Sequence, residues 1–215
     1  MTDDKPPRWL EWAQEIQALS QTGCHYSSAR HSPADEYHLQ RYSRLSEIAA
    51  EIIAEQAGLD FSALMDTFSA QTGYATPRVD VRSAVFQEGK LLFVRERADG
   101  GWTLPGGWAD VGETPSKAAE REVWEEAGLR VRASRVIGVY DANRIDPLEL
   151  FHAFKIVFRC ELFGGEPRPS QETSQVAFFG IDELPKVLSG ERTKPRHIMD
   201  AFTAWENPGA PTVFD

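Results

Sequence analysis

The sequence predicts an α/β domain preceded by a small all-helical one. Three observations carry this. Before residue 75, apolar residues recur at helical spacing in three runs. After it, runs rich in β-branched and aromatic residues read as strands at Arg82–Phe86, Gly89–Arg95, Val136–Tyr140 and Phe151–Cys160. Between the second and third of these, nothing from Ser116 to Ala127 breaks a helix.

In chain order, the first helical run is Trp9, Trp12, Ile16 and Leu19. The second is Tyr42, Leu45, Ala49, Ile52 and Ile53, and the third is Phe61, Leu64, Met65 and Phe68. Gly23, Gly58 and Gly73 read as their stops. A three-helix unit of this length has a thin core by itself. Its stripes of Trp and Ile are expected to pack on a second subunit and build a homodimer, the alternative being a helical cap packed only on the chain's own second domain. The linker falls at Gln71–Pro77, which gives domains at 1–75 and 78–208 and a tail at 209–215. Strands 82–86 and 89–95 are joined by a short turn at Gln87-Glu88-Gly89. From Asn207 onward two prolines and a glycine predict poor order.

Composition narrows the function. The chain has 215 residues, an apolar fraction of 41% and a formal net charge of −10. That balance, with no basic stripe to neutralise phosphates, argues against general nucleic-acid binding. No apolar run is long enough for a membrane span, and the N-terminus lacks an apolar signal core. Cys24 and Cys160 form no CxxC pair and read as free thiols, which fits a cytoplasmic protein. The histidines show no zinc spacing.

Gly107–Leu129 carries the chemistry. It reads GWADVGETPSKAAEREVWEEAGL, or G-x5-E-x7-R-E-U-x-E-E-x-G-U with U aliphatic. Thr114 is placed to cap a helix, Pro115 suits its first position, and Gly128 suits the left-handed residue past its end. At roughly 100° per residue, Glu122, Glu125 and Glu126 share one face with Ala118. Ala119, Val123 and Ala127 form the adjacent apolar face. Like charges at these spacings destabilise a helix, and a divalent cation removes the conflict. Carboxylate oxygens suit Mg²⁺ or Mn²⁺. Arg121 and Glu113 fall outside that face and are expected to pair, tying the loop to the helix. A solvated acidic helix is the alternative to a metal site, and the glycines in register weigh against it.

This window resembles the Nudix box, with every fixed position filled. The resemblance covers roughly residues 78–208 and includes Trp102-Thr-Leu-Pro-Gly-Gly107 leading into the box. It also includes Ile181–Pro185, which is similar to the segment that starts the last helix in many members. It implies an α/β/α sandwich around a mixed sheet and hydrolysis of a nucleoside diphosphate linked to a moiety X. The products are a nucleoside monophosphate and phospho-X. It implies metal ligation by Glu122, Glu125, Glu126 and the Gly106 carbonyl. The N-terminal helices resemble the small domain preceding some bacterial Nudix hydrolases associated with ADP-ribose and CDP-choline.

Members of this family often recruit a later carboxylate as ligand or base, and Glu172 is the candidate here. Glu122 is the alternative base, and sequence does not separate the two. Arg144 follows a strand, where its forked donors reach a phosphate or solvent. Trp108, Tyr140, Phe151 and Phe178 offer rings for stacking on a base, but at strand spacing such rings are more often core, and none is assigned. Trp102 reads as structural. RNA-end processing by the same site and a non-catalytic nucleotide-binding module are the competing functions. The intact box and the lack of a basic recognition face disfavour the module. An isomerase of the same fold would need a catalytic cysteine that neither Cys24 nor Cys160 supplies.

Overall fold

A computed structural model of the chain describes residues 7–28, 33–142, 151–190 and 192–215. The chain divides into two compact units, Met1–Pro77 with Pro147–His152, and Arg78–Asp146 with Ala153–Asp215. No helix among the described residues is long and apolar enough to cross a membrane.

The first unit holds α1 (Arg8–Ser28), α2 (Pro33–Ala57) and α3 (Phe61–Ser69). Asp60 caps α3 by accepting from the Ala63 amide at 2.8 Å. α1 and α2 run antiparallel: Gly23 meets Tyr42, while Leu10 and Ala13 share a cluster with Ala49, Ala50 and Ile53. Two expectations fail here. Gly23 does not stop α1. It sits inside the helix because a Cβ there would come 2.3 Å from the Tyr42 ring, so its role is close helix approach. The buried stripe of α1 is Leu10, Ala13, Gln17 and Ser20; of the expected run, Trp9 and Ile16 pack at its edge, while Trp12 and Leu19 are 52% and 60% exposed. Ser20 is held in that face by donating to the Tyr42 carbonyl at 2.6 Å. Phe151 joins this unit's core edge-to-face on Phe68.

The second unit is a seven-stranded mixed sheet with a helix on each face. Its strands are β1 (Arg78–Gln87), β2 (Lys90–Glu96), β3 (Trp102–Thr103), β4 (Leu129–Asp141), β5 (Ala153–Gly165), β6 (Thr173–Phe179) and β7 (Val213–Phe214). The order is β3-β2-β1-β5-β4-β7, with β6 paired to β2. The β1–β2 hairpin turns on Glu88 and Gly89, both with positive φ, as its turn residues require. Strand alternation sorts the two faces. Val81, Val85, Leu92 and Val94 pack with Ala119, Val123 and Ala127 of α4 (Pro115–Ala127). Ala84, Leu91, Phe93 and Tyr140 pack with Ile198, Ala201 and Phe202 of α5 (Pro195–Glu206). This is the expected α/β/α sandwich.

Three further differences are local. β4 begins at Leu129, directly after the α4 cap, so the strand is longer at its start than its apolar run shows. Its first residues alternate between buried and exposed. Ile181–Glu183 forms only a 3-10 turn, and the last helix starts at Pro195, which suits a first helical position. The tail is not loose: Val213 and Phe214 pair with β4 as a parallel strand, and Asp215 holds Arg196 at 2.8 Å.

α5 sets one buried polar group against the sheet. The Lys194 amide donates to His197 Nδ1 at 3.2 Å, which puts the imidazole proton on Nε2. Nε2 has no hydrogen-bond partner among the described residues, and the ring lies 4.7 Å from that of Tyr140. Burial, then the cations Lys155, Arg82, Arg196 and Lys194, hold this imidazole neutral, well below its usual range. A base whose folded pKa is depressed favours folding above its unfolded pKa, about 6.5, and that contribution is lost as pH falls below it. His197→Leu is therefore expected to show a smaller loss of urea midpoint between pH 7.5 and 5.5 than the wild type. Converted to unfolding free energy, the difference should approach about 1.4 kcal/mol for each pH unit below the unfolded pKa. Equal slopes would contradict the account.

Candidate active site

The box folds as its residues demand. The Thr114 side chain accepts from the Lys117 amide, Pro115 opens α4, and Gly128 closes it at φ 71. One side of the helix goes into the core, and this carries Glu126 inward with it. Glu126 is 3% exposed, whereas the Glu125 side chain keeps 54% exposure. The Glu122 side chain lies between them at 12%.

The loop before the helix meets these carboxylates. Pro105 and Gly107 give their carbonyls to the Ser83 and Val81 amides of β1, both at 2.8 Å. Between them the Gly106 amide donates to Glu126 Oε2 at 2.9 Å. Gly106 has φ 149, and a Cβ there would fall 2.0 Å from the Val81 carbonyl, so only glycine fits. A Cβ on Gly107 would come 3.0 Å from Glu122 Oε1, so this loop also lies against the second carboxylate.

Arg121 does more than pair with Glu113. Its Nε and Nη2 donate to Glu113 at 3.0 Å each, as expected. Its Nη1 also donates to Glu122 at 2.8 Å and to Glu125 at 2.9 Å. The arginine expected outside the carboxylate face is thus one of its contacts. Among the described residues no three acidic, histidine or cysteine side chains converge in metal-ligand geometry. Arg121 draws Glu122 and Glu125 to itself while Glu126 turns to Gly106.

The electrostatics follow burial. Desolvation pushes the Glu126 carboxyl up to about 8, against the pull of Arg82 and the Gly106 amide. Desolvation also raises Glu122, partly offset by Arg121. The Arg121 hydrogen bonds hold the Glu113 carboxyl below the usual range. Glu122, Glu125, Glu126 and the Gly106 carbonyl are hard oxygen donors of the kind Mg²⁺ or Mn²⁺ takes, and they fit such an ion once Arg121 releases Glu122 and Glu125.

Beneath the loop lie residues that sequence reading missed. Arg82 grips Asp80 by two parallel bonds, Nε to Oδ1 at 2.9 Å and Nη2 to Oδ2 at 2.7 Å. Both side chains are buried, and Lys155 Nζ stands 3.9 Å from the same Asp80. Removing one partner of such a pair typically costs about 3–5 kcal/mol. The charge of Arg82 acts on Glu126, Glu122 and Glu96. Glu96, at the end of β2, is 3% exposed and ion-pairs with Arg192 at 3.1 Å. The register shifts between Arg95 and Glu96, an irregularity of the kind that re-aims a side chain. A charged pair at i, i+2 inside an apolar strand was the one available signal, in Asp80-Val-Arg82.

Glu172 is exposed, just before β6, and its charge acts on Glu96. Its neighbour Thr173 is buried and donates to the Glu126 carbonyl at 2.7 Å. Arg144 lies outside the described residues. Tyr140 is core, Phe178 packs on the α4 face, and Trp102 stacks edge-on against Phe179. Trp108 keeps 44% exposure beside Gly107, and its carbonyl accepts from Arg121.

Comparison with known proteins agrees with this geometry. The NUDIX domain family matches residues 76–202, and the family described as a UDP-X-like, N-terminal oligomerisation domain matches residues 7–68. The Bacillus subtilis protein "Putative ADP-ribose pyrophosphatase YjhB" is 35% identical over 97% of both chains. A Methanocaldococcus jannaschii ADP-ribose pyrophosphatase is 31% identical over 62% of this chain and 78% of its own. The crystal structure of a UDP-X diphosphatase superposes with a TM-score of 0.61 at 28% identity, covering 96% of this chain and 98% of that one. An ADP-ribose pyrophosphatase from Streptococcus suis does so with a TM-score of 0.60 at 38% identity, covering 65% of this chain and all of its own. With an intact box on a capped helix, a glycine turn against its buried glutamate and matches along both units, the chain belongs to the Nudix hydrolase family.

Proposed function

We propose that this hydrolase is a divalent-metal-dependent pyrophosphatase of nucleoside diphosphates linked to X, of the ADP-ribose or CDP-alcohol class. It would release a nucleoside monophosphate and phospho-X. The observation that carries the reading is the Gly106 turn, whose amide donates at 2.9 Å to Glu126, a carboxyl buried on the helix that also bears Glu122 and Glu125. The ADP-ribose pyrophosphatases among the relatives support the first of these classes, and the UDP-X diphosphatase supports an X-linked nucleoside diphosphate in general.

Glu122, Glu125, Glu126 and the Gly106 carbonyl would hold the ion. When bound, a divalent cation neutralises pyrophosphate charge and lowers the pKa of water. Glu113 anchors Arg121, and Arg121 sets the rotamers of Glu122 and Glu125. Gly106 lets the loop lie on the β1 backbone, and Gly107 leaves room for the Glu122 carboxylate. Glu122 and Glu126 already accept hydrogen bonds from Arg121 and Gly106. We therefore assign proton removal from the attacking water to the exposed Glu172.

The unit matched as an oligomerisation domain is the proposed dimer contact. Trp12 and Leu19 stand exposed seven residues apart, on one side of α1. Fully burying side chains of this kind contributes about 1.5–3 kcal/mol each.

The activity is tested by phosphate release after phosphatase coupling. The panel comprises ADP-ribose, CDP-choline, NADH, sugar nucleotides, dinucleoside polyphosphates and nucleoside triphosphates, with Mg²⁺ and with Mn²⁺. One X-linked diphosphate should lead, and Glu126→Gln should lose its turnover. No wild-type turnover, or an unaffected Glu126→Gln, would sink the proposal. Glu172→Gln should lower kcat by about 10²-fold or more if this residue is the base. A loss under about fivefold would return that role to Glu122. Light scattering on the variant carrying Trp12→Glu and Leu19→Glu should report a monomer where the wild type is a dimer. An unchanged mass would remove this face from the interface.

A further inference from the structure

The loop before α5 is fastened to the edge of the sheet at several points. The Trp102 amide donates to the Val187 carbonyl and the Ser189 amide to the Trp102 carbonyl, each at 2.9 Å. Ser189 Oγ donates to Asp99 at 2.8 Å. Thr193 Oγ1 meets Thr103 Oγ1 at 2.8 Å and accepts from the Leu104 amide at 3.0 Å. Lys155 Nζ donates to the carbonyl of Arg192 itself at 2.7 Å. The backbone of Arg192 is thus held from both sides without help from its side chain.

That side chain reaches Glu96. Arg192 Nη1 lies 3.1 Å from Glu96 Oε1, with the arginine side chain 38% exposed and the glutamate side chain 3% exposed. Glu96 pairs across the sheet with Thr173, so both side chains stand on one face, and Thr173 bonds the carbonyl of Glu126. The charges of Glu96 and Glu172 reach this region as well, Glu96 acting on Glu126 and Glu172 on Glu96. Through Glu96 and Thr173, Arg192 is thus linked to the end of α4 that carries Glu126. Burying a carboxylate to hold one half-exposed arginine costs desolvation energy, and the loop is already fixed. Such a pair makes sense as a holder: it orients a guanidinium whose five donors are not used up by one contact. Arg121 and Arg82, by contrast, are engaged by Glu113, Glu122 and Glu125, and by Asp80.

We propose that Arg192 is a substrate-binding residue that grips the pyrophosphate of the nucleoside diphosphate, with Glu96 as its positioning residue. This rests on the hydrolase reading above. It adds a cation anchored through Glu96 beside the strand that bonds α4, with forked geometry matched to phosphate oxygens.

The test is calorimetric titration of the full-length protein with the non-hydrolysable α,β-methylene analogues of ADP and of CDP, in the presence of Ca²⁺. Wild type, Arg192→Gln, Arg192→Lys and Glu96→Gln are compared, with thermal melts alongside. Arg192→Gln should bind the better analogue about 10-fold more weakly or worse, equivalent to about 1.4 kcal/mol. Its melting temperature should stay close to that of the wild type. Arg192→Lys should recover only part of the affinity, because an ammonium lacks the fork. Glu96→Gln should fall between wild type and Arg192→Gln. A wild-type affinity no better than that of Arg192→Gln overturns the proposal, whatever the activity panel reports. A panel without turnover, with analogue binding still lost in Arg192→Gln, rejects the hydrolase reading and upholds the phosphate grip.

Discussion

Carboxyl groups held out of water are the constraint on which the rest of this site depends. Glu126 and Glu96 are each 3% exposed, and desolvation raises both above the usual carboxylate range. Isolated anions in such a setting cost several kcal/mol. The surroundings answer that cost with fixed partners: the Gly106 amide and the charge of Arg82 for Glu126, and Arg192 with Arg82 for Glu96. Arg82 in turn requires Asp80, and Asp80 has Lys155 as a second neighbour. The polar network under the loop is a chain of compensations that begins at the glutamates.

The sandwich architecture explains why this network is possible. On the α4 face, small residues at Ala119 and Ala127 and the branched Val123 let the helix settle closely on β1 and bring Glu126 with it. On the α5 face the same strands carry Asp80, Arg82, Lys155 and Tyr140 among apolar neighbours. Asp80 lies directly opposite Lys155, and Lys155 opposite Tyr140, on adjacent strands. One face supplies packing for α4, and the other supplies charge beneath it. Gly106 is the point of contact between them, since its backbone rests on Val81 and Arg82 while its amide meets Glu126.

The helical unit illustrates how periodicity can mislead about burial. The Trp and Leu run in α1 has correct helical spacing, yet its inward stripe includes Gln17 and Ser20. Those two are satisfied by Gln21 and by the Tyr42 carbonyl, so polar residues are tolerated where two helices approach through a glycine. Of the larger apolar residues, Trp9 and Ile16 pack at the edge of the cluster, while Trp12 and Leu19 are left outward. That is the pattern of an element that finishes its core against another surface, in keeping with its match to an oligomerisation domain.

What the sequence by itself determined is what depends on local backbone chemistry and on spacing along one element. The cap at Thr114, the proline start, the left-handed Gly128 and the Arg121–Glu113 tie were all legible, as were the β1–β2 turn and the sandwich class. The box named the family before any coordinate was known. Tertiary structure alone decided what depends on strand register and loop docking. That includes which of the three glutamates is buried, the extension of Arg121 onto Glu122 and Glu125, and the Asp80–Arg82 pair under the loop. It also includes the meeting of Glu96 with Arg192, far apart in sequence and joined through the sheet edge. Such contacts leave no local signature, because a one-residue change of register or a different loop path would pair other side chains without altering any propensity. The site's polarity is readable along the chain; the partners that make it tolerable are a property of the fold.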